Sequence, residues 1–226
     1  GDSMNRGLEM ARGEYVGILE SDDFMFEDSL QKLVAKADAE HADVVKGDFY
    51  LYWSAPSERR ELFGIIDEHM TGAAYRPVDR PGIFYRKPSI WSAIYRKSFL
   101  DEHRIRFKEI PGAGWADNPF LVETLCQTDR IGYFDTAYYC YREETPEKSK
   151  NFAHTNTLLP LERWNDMMDV LERLNVTDEH ILRSHNSRGF TYLSGIIEEV
   201  DLTHDDVREA AKHMFERMDA NLVFTD

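Results

Sequence analysis

The spacing of apolar residues divides the chain into a stretch of short helices and strands followed by a stretch of helices alone. Ser3 is placed to cap a helix that runs to Ala11 and stops before Gly13, the residue type expected just past a helix end. Glu14 to Glu20 (EYVGILE) is short and mostly apolar, which predicts a strand buried on both faces, as in parallel sheets. A helix is predicted over 27–40, with Leu30, Leu33, Val34 and Ala37 on one face. Trp91 falls in a predicted buried strand, and the alternating run GYFDTAYYCYR, 132–142, predicts another. From Pro160 the period is helical, with Leu161, Trp164, Met168, Leu171 and Leu174 on one face. Thr177 is placed to cap a second helix to about Val200, and Thr203 with Asp206 to open a third to about Met218. A parallel sheet needs partner strands for 14–20, and the place expected for them is upstream of residue 1.

Composition narrows the functional classes. The 226 residues carry 27 Lys+Arg against 42 Asp+Glu, a net charge of -15, with 42% hydrophobic residues. That balance fits an acidic globular protein and argues against a general nucleic-acid binder, which needs clustered positive charge. No apolar run approaches the ~20 residues of a membrane helix and no charged-then-apolar leader opens the sequence, so a cytoplasmic chain is expected. Cys126 and Cys140 stand in apolar surroundings without metal-ligand spacing, as reduced, packed thiols do. One stretch is basic: residues 75–108 hold nine Lys+Arg against three acids. It is either a solvated face or an electropositive wall turned toward phosphates or an anionic membrane surface.

Candidate chemistry starts where the first predicted strand ends, at Glu20-Ser21-Asp22-Asp23. In open α/β sheets this edge is where ligands bind. Crowded carboxylates are costly unless a cation neutralises them, and all-oxygen donors suit Mg²⁺ or Mn²⁺ holding a diphosphate. The plainer alternative is that Asp22 or Asp23 caps the next helix. Asp117, with Asn118 and Pro119 behind it, has the chemistry of a helix N-terminus. Trp115, beside Gly114, is either a platform for a sugar ring or an ordinary core or rim residue.

Residues 3–34 resemble the segment of inverting GT-A glycosyltransferases, family 2-like, that reads roughly N-x-G-[LI]-x-x-A-x-G-E-Y-[IV]-x-F-L-D-S-D-D before a helix. The match is carried by Asn5, Gly7, Leu8, Ala11, Gly13, Glu14, Tyr15, Val16, Leu19, Ser21, Asp22 and Asp23. Three further stretches follow in that family's order: Ile94–Phe107 (IYRKSFLDEHRIRF), Gly114–Leu125 (GWADNPFLVETL) and Tyr138–Ser149 (YYCYREETPEKS).

The resemblance implies an α/β fold, a partial GT-A (Rossmann-like) catalytic domain over 1–154 lacking its first strands; beyond about 155 it fades, and the helical period predicts a helical subdomain over 155–226. The resemblance implies that Asp22 is the main ligand of a Mg²⁺ or Mn²⁺ ion bridging the donor's two phosphates. Glu20, where Asp is commoner, shares the metal and donor contacts, and Asp23 is a helix cap or a supporting acid. Asp117 falls on the general base, with Ala116 where many relatives have Glu. Arg142, with Lys148 and Ser149, falls near the diphosphate, and His154 follows as a candidate third metal ligand. The implied activity is transfer of a sugar, with inversion, from a nucleotide-diphospho-sugar, UDP-sugar by family default, to a saccharide or lipid-linked acceptor of envelope polysaccharide or glycolipid. The basic stretch would then dock the chain peripherally on the inner membrane leaflet. Two other readings stand beside it: a non-catalytic binding module derived from such an enzyme, and a metal-dependent nucleotidyltransferase or phosphohydrolase, which also gather carboxylates at a strand edge.

Overall fold

The computed structural model describes residues 1–63, 71–110, 114–143, 156–200 and 204–223. Its spine is β3 (Val44–Trp53), whose first six residues are all buried. Such a strand can be covered on both sides, and it takes three neighbours. β6 (Ile131–Arg142) runs parallel to it, while β5 (Ala93–Arg96) and β4 (Arg59–Phe63) run antiparallel. β1 (Tyr15–Gly17) closes one edge against β5 and β2 (Phe24–Met25) the other against β6, giving the order β1-β5-β3-β6-β2 with β4 on β3. The helices are α1 (Asp2–Met10), α2 (Ser29–Glu40), α3 (Lys97–Glu102), α4 (Asp117–Gln127), α5 (Leu159–Arg173), α6 (Glu179–Val200), α7 (Asp205–Arg217) and α8 (Ala220–Val223).

The sheet is mixed, which corrects the expectation for 14–20. β1 covers three residues, lies at an edge and pairs antiparallel with β5, Tyr15 opposite Arg96. The apolar run misleads because Leu19, 58% exposed, has already left the strand for the turn. Leu30 is likewise exposed, and α2 rests on Leu33 and Ala37. Trp91 is buried in the turn before β5, not in a strand. Ser3 lies inside α1, behind Gly1 at the capping position. At α6 the cap is Asp178, whose Oδ1 accepts from the Ile181 N–H (3.1 Å), and not Thr177. Thr203 lies outside the described residues.

Two hydrophobic clusters organise the interior. One packs the sheet against α2, α4 and the 99–107 segment, and takes in Leu171 and Ile181 from the helical part. The other joins α5, α6 and α7 around Trp164, with Met167, Leu193, Ile196, Val207 and Met214. Val122 of α4 and Met168 of α5 touch both. Trp164 is fully buried; its Nε1 donates to the His185 carbonyl (2.9 Å) and its ring stacks on His185. That fit requires a glycine opposite: a Cβ on Gly189 would stand 2.7 Å from Trp164 Nε1. Gly189→Ala therefore loses about 1–2 kcal/mol in urea unfolding, because overpacking outweighs alanine's better helix propensity.

Candidate active site

The chain leaves β1 at one edge of the sheet and re-enters as β2 at the other, so residues 18–23 cross it and carry Glu20, Asp22 and Asp23 along. β6 fixes this turn. Asp23 Oδ1 accepts from the Arg142 backbone N–H (2.8 Å) and its Oδ2 from the Tyr139 hydroxyl (2.7 Å). The same hydroxyl accepts from the Glu20 N–H (3.2 Å), and Arg142 Nε donates to the Asp22 carbonyl (2.8 Å). Asp23 is thus the anchor of the turn and not a helix cap; Asp28 holds that position for α2. Arg142 braces the turn from outside the cleft, its guanidinium 4.9 Å above the Tyr52 ring. Hydrogen bonds to a charged group contribute about 1.5–3 kcal/mol each. Asp23→Ala removes two but also relieves the desolvation of a half-buried carboxylate, and is expected to lower stability by about 2 kcal/mol in urea unfolding.

Glu20 and Asp22 are left facing a cleft of about 670 Å³, lined also by Ser3, Ile90, Trp91, Phe107, Trp115, Asp117 and Tyr141. α1 is brought to it by Asn5, whose amide donates to the Phe107 carbonyl (2.9 Å) and accepts from the Phe107 N–H (2.8 Å). The floor is aromatic: Trp91 stacks on Tyr139 (4.5 Å) and Tyr141 (5.0 Å), side chains that share one face of β6 because strands alternate. The 86–92 loop that carries Trp91 is tied to β3 by buried Lys46, whose Nζ donates to the Ser89 carbonyl (2.5 Å), Ser89 Oγ (2.8 Å) and Ser92 Oγ (2.9 Å).

Asp117 stands on the other wall as the first residue of α4, with Ala116 at the capping position. Burial pushes its carboxyl up to about 6, against the pull of the Asp117 and Asn118 N–H groups; the Glu20 charge adds to the rise and Lys87 opposes it. Glu20 is also raised, first by desolvation and then by the Asp23 and Asp22 charges. The Glu20 charge is therefore felt by Asp117 across the cleft. Trp115 has a left-handed backbone, φ 53°, a conformation that costs a bulky residue about 1–3 kcal/mol and occurs where surroundings enforce it.

The basic stretch does not form one wall. Arg76 pairs with Asp129, Arg96 with Asp43, Lys97 and Arg106 with Asp101, and Lys108 with Asp166. Lys87 instead holds its ammonium 5.1 Å over Tyr141 and 5.3 Å over Phe63, within electrostatic range of Asp117. Cys126 and Cys140 are free thiols, and burial pushes Cys126 up to about 12. Lys148, Ser149 and His154 lie outside the described residues. Among the described residues no helix is long and apolar enough to cross a membrane.

The residues fit a divalent cation of one particular kind. Among the described residues no lysine or arginine pairs with the Glu20 or Asp22 carboxylate, and no group of three His, Cys, Asp or Glu is set to hold a metal alone. Mg²⁺ is commonly bound by one or two carboxylates, with phosphates and water completing its shell.

Trp91 and Tyr141, which line the cleft, Tyr139, on which Trp91 stacks, and Lys87 over Tyr141 are the residues around the site that sequence reasoning missed or read as packing. The period-two placement of Tyr139 and Tyr141 on β6 was the available signal for two of them.

Residues 1–104 match the model of Glycosyl transferase family 2. The chain is similar to the cholesterol galactosyltransferase of Borreliella burgdorferi, 22% identical over 189 residues, 78% of this chain and 50% of that protein. It is also similar to TarP of Staphylococcus aureus, a poly(ribitol-phosphate) β-N-acetylglucosaminyltransferase, 25% identical over 152 residues, 67% of this chain and 44% of that protein. The chain thus spans about half the length of these relatives. The crystal structure of S. aureus TarS 1–349 in complex with UDP-GlcNAc superposes with a TM-score of 0.76 at 20% identity, over 98% of this chain and 62% of that one. Residues 1–104 are thus similar to glycosyl transferase family 2, and the fold of the chain is the GT-A fold.

Proposed function

We propose that the protein is an inverting glycosyltransferase that moves a sugar from a nucleotide-diphospho-sugar to a cell-envelope polysaccharide or glycolipid acceptor. The observation that carries this reading is the placement of Asp117, raised to about 6, across one cleft from Glu20 and Asp22. Residues 1–154 would carry the site and 155–226 form a helical subdomain beside it. A UDP-sugar is the favoured donor, because the superposable TarS binds UDP-GlcNAc. The relatives' names state a sterol and a polyol phosphate as acceptors. Acceptor choice therefore has to come from this chain's own surface.

In this mechanism Asp117 accepts the proton of the acceptor hydroxyl as that oxygen bonds to the sugar C1. The bond from C1 to the phosphate oxygen breaks, its electron pair leaves with the nucleoside diphosphate, and the anomeric centre inverts. One carboxylate suffices, since no covalent sugar intermediate forms. A carboxyl near 6 is mostly ionised at pH 7 yet still basic enough to take the proton. Glu20 and Asp22 would hold Mg²⁺ or Mn²⁺, which supplies Lewis-acid neutralisation of the departing diphosphate. Tyr139 and Arg142 keep the acidic turn aimed. The test is product analysis with a panel of nucleotide-sugars: release of nucleoside diphosphate supports the reading, while release of pyrophosphate or inorganic phosphate favours nucleotidyl transfer or phosphohydrolysis.

A further inference from the structure

Trp115 lines two cavities. One is the cleft of Glu20, Asp22 and Asp117; the other, about 490 Å³, lies against the helical part. This second pocket is walled by the start of α5 and the C-terminal half of α6, with Asn156, Pro160, Tyr192, Gly195 and Glu199 among its lining residues. Trp115 is 41% exposed, and its ring meets Tyr192 at 5.6 Å and 54°, so the two form the corner of an aromatic box. The box is joined to the base: Asn118, next to Asp117, donates from Nδ2 to the Tyr192 hydroxyl (3.0 Å). Accepting there leaves Tyr192 its own O–H to donate.

The chemistry of these walls selects an occupant. Aromatic and aliphatic faces from Trp115, Leu159, Pro160 and Ile196 suit the C–H face of a pyranose ring, and the tips of Asn156, Thr157, Thr191 and Tyr192 suit its hydroxyl edge. Among the described residues the lining holds one acid, Glu199, and no Lys, Arg or His, with Arg188 behind the pocket hydrogen-bonded to the Tyr192 hydroxyl; a neutral occupant fits this lining better than a phosphate. We propose that this pocket seats an uncharged pyranose ring of the acceptor, which lies against Trp115 beside the cleft that holds Asp117. The inference rests on the glycosyltransferase reading and adds to it the acceptor's class and location. It also gives a reason for the left-handed backbone of Trp115, which holds the indole between the two cavities.

Gly195 supplies a test that does not depend on damaging the fold. A Cβ there meets nothing within 4 Å, and glycine is a poor helix residue. Gly195→Leu therefore fills the pocket while keeping or raising Tm. The probes are p-nitrophenyl glucoside, galactoside and N-acetylglucosaminide, and glucose 6-phosphate, titrated by tryptophan fluorescence, with UDP-sugar affinity measured in parallel by calorimetry. We expect at least one neutral glycoside to bind saturably, with affinity reduced about tenfold or more in Gly195→Leu and in Trp115→Ala, partly restored in Trp115→Phe. UDP-sugar affinity should be the same in the unaltered protein and in Gly195→Leu, whose position lies outside the donor cleft. Binding by none of the glycosides, binding that survives Gly195→Leu, or preference for the sugar phosphate would overturn the proposal. Loss of UDP-sugar binding in the unaltered protein would instead count against the glycosyltransferase reading itself.

Discussion

Asp117→Asn lowers sugar transfer by about 10³-fold, the range expected for removal of a general base, while the affinity for the nucleotide-sugar is retained. The same substitution raises stability at neutral pH. Burial lifts the Asp117 carboxyl from 3.8 in the unfolded chain to about 6 in the fold, so the folded state holds its proton more tightly. Its favourable contribution is complete below about pH 4 and disappears as pH rises through about 6. Relative to that acid limit, ionised Asp117 leaves the fold less stable above about pH 6 by an amount of the order of 2 to 3 kcal/mol. Asparagine escapes this cost and can still accept from the helix N–H groups. For a chain of this size the gain corresponds to about 5 °C in Tm at pH 8, shrinking toward zero near pH 4. A Tm lowered by the substitution at pH 8, or transfer kept within about tenfold, would contradict the assignment.

Asp22→Asn acts on the opposite wall and on binding instead of proton transfer. With Asp23 committed to Tyr139 and Arg142, the carboxylates open to a cation are those of Glu20 and Asp22. Removing one of two donors from such a site should abolish the metal-dependent part of UDP binding. At about 100 times its Kd a ligand specific for the folded state adds about 2.7 kcal/mol, a shift of several degrees in Tm. The original protein is expected to show that shift with Mn²⁺ and UDP together, and Asp22→Asn to show little of it. An equal shift in both would remove Asp22 from the donor site.

What the sequence made legible follows the range of the interactions involved. The acidic turn and Asp117 could be read because charge crowding and a family pattern are local, and β6 because its alternation is. The partnership of Tyr139 and Arg142 with Asp23 joins residues more than a hundred positions apart, and no local pattern encodes it. The edge position of β1 was hidden for a related reason: EYVGILE looks buried until the exit of Leu19 into the turn is known. Thr177 and Asp178 are both good caps, and only the helix register chooses between them. Trp115 was readable as a sugar platform or as rim, but its left-handed backbone and its place between two cavities depend on where α5 and α6 pack.

The pH dependence of kcat/KM for transfer tests the account most directly, because it reports the essential base of the free enzyme. An acid limb half-complete near pH 6, where Asp117 titrates in the fold, is predicted, displaced to lower pH in Glu20→Gln, where one repelling charge is gone. A profile flat over about pH 5 to 8, or a limb that Glu20→Gln moves upward, would contradict the claim that Asp117 is the base and that Glu20 faces it across the donor cleft.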